Sequence, residues 1–353
     1  MATSVRRPKN PVNLDLRKAY ADGHVALGLG AGVSQASGLP SWNDLICRLA
    51  EAPHNIGRKS AQTLLDAGYD ATVLATVLRR KAESDDAFAD LVREALYKDF
   101  SFEEAVGKSN HRRFVEHIRN TNPTLHAVGS MCGSLIEGER FRPNPRIRAV
   151  MTLNIDALLE MYTRARFRGR VLRTVERAAA SASSSKIHSY HLHGYLVRKL
   201  ASPSPEAASP SREARSQEAD DRLVLTEQQY FDVVANANGF VNYTMLYLLR
   251  EYRFLFVGLS MRDPNLRRAL HLSFTERIRE LEAEGETTAM ATSRAARHWA
   301  IMVRRDAEID AATTILLEVI GVKPLWVDAY ADIPALLQSL YESAGDQRWA
   351  DVA

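Results

Sequence analysis

Residues 24–42, HVALGLGAGVSQASGLPSW, contain the pattern that decides the fold. Residues 24–29 are an apolar run of the kind that forms a buried strand, and the glycine-rich residues 30–32 follow at once, before a segment with helical spacing. A strand that turns through glycines into a helix is typical of dinucleotide sites, where backbone N–H groups bind phosphate. The third glycine of the G-x-G-x-x-G fingerprint is replaced by Val33 or Gln35, depending on the starting glycine, so a tight structural turn stays open as an alternative.

Other apolar runs predict further strands of the same sheet. Each ends near Gly, Ser, Asn or Asp, as strands do when they enter strand–helix units. This alternation favours an α/β fold, with a doubly wound, mostly parallel Rossmann-like sheet and an inserted helical module. The later strands are predicted at residues 147–153, from Ile187 onward, at 253–257, 298–303 and 323–327, and a closing helix at about 332–343.

The spacing also predicts the organisation of the chain. The stretch between the first two strong strands is longer than a single crossover needs and has helical spacing almost throughout, which indicates a helical insertion. A later stretch is rich in Ser, Pro and charge without apolar periodicity, which is typical of a flexible surface loop. We predict an N-terminal arm over residues 1–22, a Rossmann-like domain over 23–52 and 121–345, a helical insertion over 53–120 and a flexible Ser/Pro loop over 199–221.

The composition excludes several classes of protein. A chain of 353 residues with 46% hydrophobic residues has enough apolar material for a large core, and its net charge of +3 does not by itself indicate nucleic-acid or membrane binding. Cys47 and Cys132 are far apart and lie outside any C-x-x-C pair, so neither a disulfide framework nor a metal site is predicted. No apolar run approaches the roughly 20 residues that span a bilayer, and we expect a cytoplasmic protein without membrane contact.

Polar residues follow several of the predicted strands. Thr152, Asn154 and Asp156 follow one strand, His193 lies near the end of another, and a G-x-S-x-x-D stretch at residues 258–263 follows a third. Open α/β sheets bind ligands at the carboxyl ends of their strands. We therefore expect these segments to converge in one crevice.

The order of these motifs resembles that of the sirtuins, the silent-information-regulator superfamily. The motifs are G-A-G-x-S-x-x-S-G-x-P, T-x-N-x-D, H-G and G-x-S, spread over residues 23–330. Sirtuins consume NAD, so the resemblance implies a sirtuin-like NAD-binding domain with NAD as its substrate. Four zinc-binding cysteines usually follow the H-G segment, whereas this chain carries the Ser/Pro loop there. The resemblance thus implies a member without the zinc ribbon, and without zinc.

The chain is most similar to a bacterial branch of that superfamily, whose members hydrolyse NAD as effectors of antiphage defence by abortive infection. In that branch one Asn and one His are essential for catalysis, and they correspond here to Asn154 and His193. The resemblance also implies control by assembly, as a homo-oligomer and with a neighbouring-gene partner such as a HerA-like hexameric ATPase or another phage sensor. Any DNA contact is expected through that partner.

The chemistry expected of such a site is cleavage of the nicotinamide–ribose bond. The reaction passes through an oxocarbenium-like species, and its cationic leaving group needs no protonation. We expect Asn154 to orient water and a ribose hydroxyl, His193 to accept a proton, and Asp156 to contact the ribose or support the other two catalytic residues. The residues expected to bind NAD are Gly30, Ala31, Gly32, Ser34, Thr152, Gly258, Ser260 and Asp263.

Two alternatives to an NAD glycohydrolase remain at this stage. One is an NAD-dependent protein deacylase or ADP-ribosyltransferase, against which the missing cysteines argue. The other is a non-catalytic nucleotide-binding sensor or scaffold. The presence of both Asn154 and His193 argues against that alternative, because a protein that only binds nucleotides needs neither residue.

Overall fold

A computed structural model describes residues 13–53, 55–100, 108–136, 140–176, 185–198 and 223–344. The Ser/Pro loop predicted over residues 199–221 lies outside these ranges, as do residues 1–12 of the predicted N-terminal arm and residue 345 of the predicted Rossmann-like domain.

In the described part of the chain, seven parallel strands form one sheet and two short strands form a separate antiparallel hairpin. The strands are β1 (Val25–Leu29), β2 (Gly133–Ile136), β3 (Arg140–Pro143), β4 (Ile147–Thr152), β5 (Leu172–Val175), β6 (Ile187–His191), β7 (Arg253–Val257), β8 (His298–Val303) and β9 (Val322–Val327). The sheet order is β5-β6-β4-β1-β7-β8-β9, so the strand order reverses around β1. The predicted doubly wound, Rossmann-like α/β fold is confirmed.

Helices connect the strands and cover both faces of the sheet. They are α1 (Leu14–Ala21), α2 (Trp42–Ala50), α3 (Arg58–Asp66), α4 (Ala71–Lys81), α5 (Asp85–Tyr97), α6 (Lys108–Thr121), α7 (Pro123–Met131), α8 (Leu158–Phe167), α9 (Glu227–Ala235), α10 (Phe240–Glu251), α11 (Pro264–Ala283), α12 (Thr288–Ala295), α13 (Ala307–Glu318) and α14 (Ile333–Glu342). Many begin at an N-cap side chain, such as Ser84 before α5 and Thr226 in the capping box of α9. Among the described helices, none is long and apolar enough to cross a membrane.

The strands at the centre of the sheet are apolar because they are buried on both faces. Every residue of β1 is buried. Val25 and Leu27 point into one core, which also contains Leu255 of β7, while Ala26 points into a second core with Phe254. Alternation of side chains between two covered faces explains why these strands are continuous apolar runs in the sequence.

The helical segment between β1 and β4 shares the first core with the sheet. Helices α3, α4 and α5 pack on α2, and α6 packs on α7 and α8. Leu74 of α4 and Val92 of α5 are buried in the same core as β1. Leu16 and Tyr20 of α1, within the range predicted as an N-terminal arm, are fully buried there too. Burial in one continuous core fixes these helices relative to the strands.

Two features of the fold have no apolar pattern in the sequence. Strand β5 lies at an edge of the sheet and only its last residue is buried, so it shows no apolar run. The chain after β1 forms two short 3-10 turns, Ala31–Val33 and Gln35–Ser37, and the first α-helix begins only at Trp42. Gly38, with φ +88°, ends the second turn in the left-handed region and separates it from that helix.

Candidate active site

The turn after β1 is packed against the end of β7. Gly30 N–H donates to the carbonyl oxygen of Val257 at 3.1 Å, and Gly32 N–H donates to that of Gly258 at 3.0 Å. A Cβ atom on Gly30 would lie 2.5 Å from the Gly258 carbonyl oxygen. A Cβ atom on Gly258, whose φ is +67°, would lie 2.6 Å from the amide nitrogen of Val33. The glycines are therefore required by the close approach of two strand ends.

The backbone N–H groups of this turn are mostly engaged within the protein. Gly30 and Gly32 donate to the end of β7, while Val33 and Ser34 donate to carbonyl oxygens of the turn itself. Of the amides in residues 30–34, only that of Ala31 makes no hydrogen bond within the described part of the chain. In this conformation, phosphate binding by the turn would depend on the Ala31 N–H rather than on the glycines.

A buried hydrogen bond connects the turn to the loop after β4. The hydroxyl of Ser34 donates to the Asp156 carboxylate, at 3.0 Å from Oδ2 and 3.2 Å from Oδ1. Leu158 N–H, at the start of α8, donates to Asp156 Oδ1 at 2.9 Å. Burial raises the pKa of Asp156 above its ordinary value, although these two donors oppose the shift. The predicted site residues Ser34 and Asp156 are therefore bonded to each other, and this bond joins the turn after β1 to the loop after β4.

The backbone of Asn154 is held on both sides. Its N–H donates to Thr152 Oγ1 at 3.0 Å, and its carbonyl oxygen accepts a hydrogen bond from Nδ1 of His191 at 3.2 Å. Thr152 is buried at the end of β4, whereas Asn154 is partly exposed. Among the described residues, the Asn154 carboxamide has no hydrogen-bond partner, so it can donate to and accept from a ligand.

His193 presents a buried nitrogen atom that lacks a partner. Within the described ranges its Nε2 makes no hydrogen bond. The ring meets that of Tyr230 edge to face, with 6.4 Å between the centroids. Burial lowers the pKa of His193 below its usual range, and the Asp263 carboxylate only partly opposes this shift. The imidazole is thus neutral at pH 7 and can act as a base.

The register of the sheet places Asn154 and His193 at equivalent positions beyond the ends of two neighbouring strands. Strands β4 and β6 are hydrogen-bonded neighbours, and Thr152 pairs with His191. Asn154 and His193 each follow those paired residues by two positions. Adjacent strands lie about 4.8 Å apart. The two predicted catalytic residues therefore emerge from neighbouring strands at the same height of the carboxyl edge.

The segment after β7 contains the last two predicted site residues. Ser260 is exposed. Asp263 caps α11, accepting from Leu266 N–H at 2.6 Å, and its other oxygen accepts from the hydroxyl of Tyr230 at 2.7 Å. The Tyr230 oxygen in turn accepts from Asn265 N–H at 3.0 Å. Asp263 thus links α9 to α11. Of these two predicted site residues, Ser260 is the one that is accessible to a ligand.

A family model described as a SIR2-like domain matches residues 148–325, from within β4 to within β9. That range covers half of the chain. The protein belongs to the SIR2-like domain family. No curated protein matches the chain.

The match bears directly on the predicted site. It includes Asn154, His193 and the segment after β7, while the glycine turn at residues 30–32 lies upstream of it. Sirtuin-like superfamily membership is confirmed, and with it a link to NAD-utilising enzymes. Two features of the described part of this SIR2-like site fit such a ligand: the His193 nitrogen without a partner and the available Asn154 carboxamide.

Metal ligation has no support among the described residues, where no group of three or more His, Cys, Asp or Glu side chains is arranged to hold an ion. His191, the other histidine near the site, is bonded to Glu160 instead, with 2.8 Å between Nε2 and Oε1.

Sequence motifs alone did not reveal two residues of the SIR2-like site, Tyr230 and Glu160. Tyr230 lies in α9, beyond the predicted Ser/Pro loop, and contacts His193 only through the fold. Glu160 had one available signal: it is a carboxylate in the first turn of an otherwise apolar helix start, LLE. A charged side chain among buried positions indicates a partner, because an unpaired buried charge is strongly unfavourable.

Proposed function

We propose that this SIR2-like protein is an NAD glycohydrolase, which hydrolyses the nicotinamide–ribose bond of NAD to nicotinamide and ADP-ribose. The observation that carries the proposal is that an available carboxamide and a neutral imidazole follow adjacent strand ends, and that in the described part of the chain neither the carboxamide nor the Nε2 of the imidazole has a hydrogen-bond partner. Asn154 and His193 occupy equivalent positions beyond β4 and β6. A protein that only bound a dinucleotide would have no use for an imidazole whose buried Nε2 lacks a hydrogen-bond partner among the described residues.

The proposed reaction needs little acid or base chemistry. Nicotinamide leaves with the bonding electron pair and becomes neutral, while the ribose carbon becomes oxocarbenium-like. The Asn154 carboxamide orients the attacking water and a ribose hydroxyl. Water forms the new C–O bond, and its proton passes to Nε2 of His193, directly or through the ribose hydroxyl, before release to solvent.

The surroundings of His193 support an activity that is controlled. Its Nε2 is buried, so a ribose can reach it only if a neighbouring group moves. Tyr230 is the adjacent ring, and its hydroxyl is bonded to Asp263. We propose that this protein is the NAD-depleting effector of an antiphage system, and that assembly with further copies or with a neighbouring-gene partner opens the site. Such control would protect the host cell from constant loss of NAD.

One experiment tests the activity against its alternatives. The purified full chain, alone and with the neighbouring gene product, is incubated with NAD in water enriched in oxygen-18. A glycohydrolase releases nicotinamide and incorporates the label into ADP-ribose without any acceptor. Nicotinamide release that requires an acyl-lysine peptide or a protein acceptor would indicate a deacylase or transferase, and no release in either condition would favour a binding protein.

A further inference from the structure

Glu160 and His191 form an ion pair beneath the site that the proposed reaction does not use. Glu160 lies in the first turn of α8 and is 6% exposed, while His191 ends β6 and is 2% exposed. Nε2 of His191 is 2.8 Å from Oε1 of Glu160, and the hydroxyl of Ser189 donates to the same oxygen at 2.8 Å. A buried ion pair is a poor source of stability, since desolvation offsets much of the attraction. Its presence therefore suggests another role.

The second ring nitrogen of His191, Nδ1, holds the backbone of Asn154. Nδ1 donates to the backbone carbonyl oxygen of Asn154 at 3.2 Å. A carbonyl oxygen can only accept, so Nδ1 must carry a proton. With the Asn154 N–H bonded to Thr152 Oγ1, the Asn154 peptide is fixed at both its N–H and its carbonyl. That backbone position fixes the direction of the Cα–Cβ bond from which the carboxamide extends.

The charges around the ring favour the protonated form of His191. Burial alone would lower the pKa of His191, but the carboxylates of Glu160 and Asp156 and the Asn154 carbonyl raise it overall. Burial acts on Glu160 in the opposite direction, and His191 and Ser189 together hold the pKa of that carboxyl below its usual value. Tyr195 packs against the ring, with 4.5 Å between centroids. Because each ring nitrogen faces an oxygen acceptor, both nitrogens of His191 act as donors in this structure.

We propose that Glu160 and His191 are positioning residues, which hold the Asn154 backbone so that its carboxamide faces the sugar carbon where NAD is cleaved. This inference rests on the proposed function. Both side chains are buried and the turn after β1 lies on another strand, so we expect the pair to act on the reacting geometry more than on NAD binding. Its loss therefore lowers kcat with little change in KM.

Two substitutions at His191 separate positioning from general packing. In His191→Asn, the side-chain nitrogen is bonded to Cγ, as Nδ1 is, and can still donate to the Asn154 carbonyl. In His191→Gln, the nitrogen lies one atom further out, near the position of Nε2, and can still reach Glu160 but not Asn154. Both variants remove the ring and its charge. The matched control is His188→Asn on the same strand, whose ring contacts Tyr190 instead.

The expected result is a difference between the two variants. A small misplacement of a reacting group can cost about 100-fold in rate, so we expect His191→Gln to lose about that factor in kcat with KM nearly unchanged. His191→Asn should stay within about tenfold of the parent, and His188→Asn should match it. Equal losses of kcat in His191→Asn and His191→Gln, in step with their melting temperatures, would overturn the proposal.

A spectroscopic measurement tests the pair without any activity. In protein with nitrogen-15 histidine, His191 is assigned by the signal missing from His191→Asn. We expect both of its nitrogens to be protonated at pH 7. In uniformly nitrogen-15-labelled protein, we expect the Asn154 side-chain amide signal to move in His191→Gln but not in His191→Asn. An unprotonated Nδ1, or an Asn154 signal that moves equally in both variants, would overturn the pair's role. If the parent releases no nicotinamide, the proposed function fails, while these signals still decide whether the pair positions Asn154.

Discussion

The hydroxyl of Ser34 lies 3.0 Å from the carboxylate of Asp156, to which it donates a buried hydrogen bond. The two residues are 122 positions apart in the sequence. One belongs to the turn after β1 and the other to the loop after β4, so this bond joins the segment expected to bind the phosphates of the dinucleotide to the segment expected to bind its ribose. Its strength therefore bears on the geometry of the whole crevice.

Ser34→Ala is expected to destabilise the fold. The substitution leaves the Asp156 carboxylate buried with one donor fewer, and an unsatisfied buried polar group costs about 1–3 kcal/mol. Urea unfolding at pH 7 measures the change in the free energy of unfolding.

Ser130→Ala is the matched control. Ser130 is also buried, but its hydroxyl donates to the carbonyl oxygen of His126 one helical turn earlier. Its removal leaves no charge unsatisfied, and we expect a loss below about 1 kcal/mol. A loss in Ser34→Ala no larger than that in Ser130→Ala would show that the link to Asp156 contributes little.

Gly258→Ala tests the close contact between β7 and the turn after β1. Gly258 has φ +67° and Gly68 has φ +92°, so alanine is strained at either position. Nothing lies within 4 Å of a Cβ built on Gly68, whereas one on Gly258 meets the backbone of Val33. Overpacking adds about 1–3 kcal/mol to the strain, so Gly258→Ala should lose that much more unfolding free energy than Gly68→Ala. Equal losses in urea unfolding would mean that the contact is loose.

The sequence predicts the strands of this fold where both faces are buried. Strands β1, β4, β7 and β8 begin and end within one residue of their apolar runs, because most of their residues are buried by helices on both sides of the sheet. Only one residue of the edge strand β5 is buried, and its sequence shows no apolar run. The glycine motif does not show how long the turn is: two 3-10 turns precede α2, and Gly38, which is left-handed with φ +88°, separates the second turn from that helix.

Motif order also predicted Asn154 and His193, whose positions follow from strand ends. Their partners could not be predicted that way. The hydrogen bonds of Tyr230 to Asp263 and of Glu160 to His191 join helices to strand ends that are about 30 residues away in the chain. Such contacts depend on how helices pack on the sheet, and a local sequence pattern does not predict that packing.

Acid should destabilise the protein through His298. Burial lowers the pKa of His298 from 6.5 to about 3, and its Nδ1 accepts from Phe254 N–H at 3.1 Å. Below pH 6.5 the proton therefore binds the unfolded chain more tightly, and stability falls by about 1.4 kcal/mol per pH unit until the folded pKa is reached. His298→Asn keeps an acceptor bonded to Cγ but does not titrate. Its unfolding free energy should fall less steeply than the parent's between pH 6.5 and 4.5; parallel slopes would contradict the buried neutral ring.

The pH dependence of catalysis should report His193. Burial lowers its pKa, so the base stays neutral below pH 6.5 and kcat falls only as the pH passes through the lowered value. Asp263 is the charged group that raises this pKa, while Tyr230 faces the ring as a neutral phenol. In Asp263→Asn the pH at which kcat falls on the acidic side should therefore be still lower. The side-chain oxygen of the asparagine keeps the N-cap of α11. A shift of this fall to higher pH would exclude His193 as the titrating group.

Nicotinamide release from NAD by the full chain, compared with Asn154→Ala and His193→Ala under the activating condition, tests the central claim most directly. The account predicts release by the parent and a loss of at least about 100-fold in kcat for each variant, the usual range for a lost positioning or proton-accepting group. Both variants should keep the parent's melting temperature within a few degrees, since neither side chain is bonded to another described residue through its reacting atoms. Cleavage of NAD by both variants at the parent's rate would contradict the account.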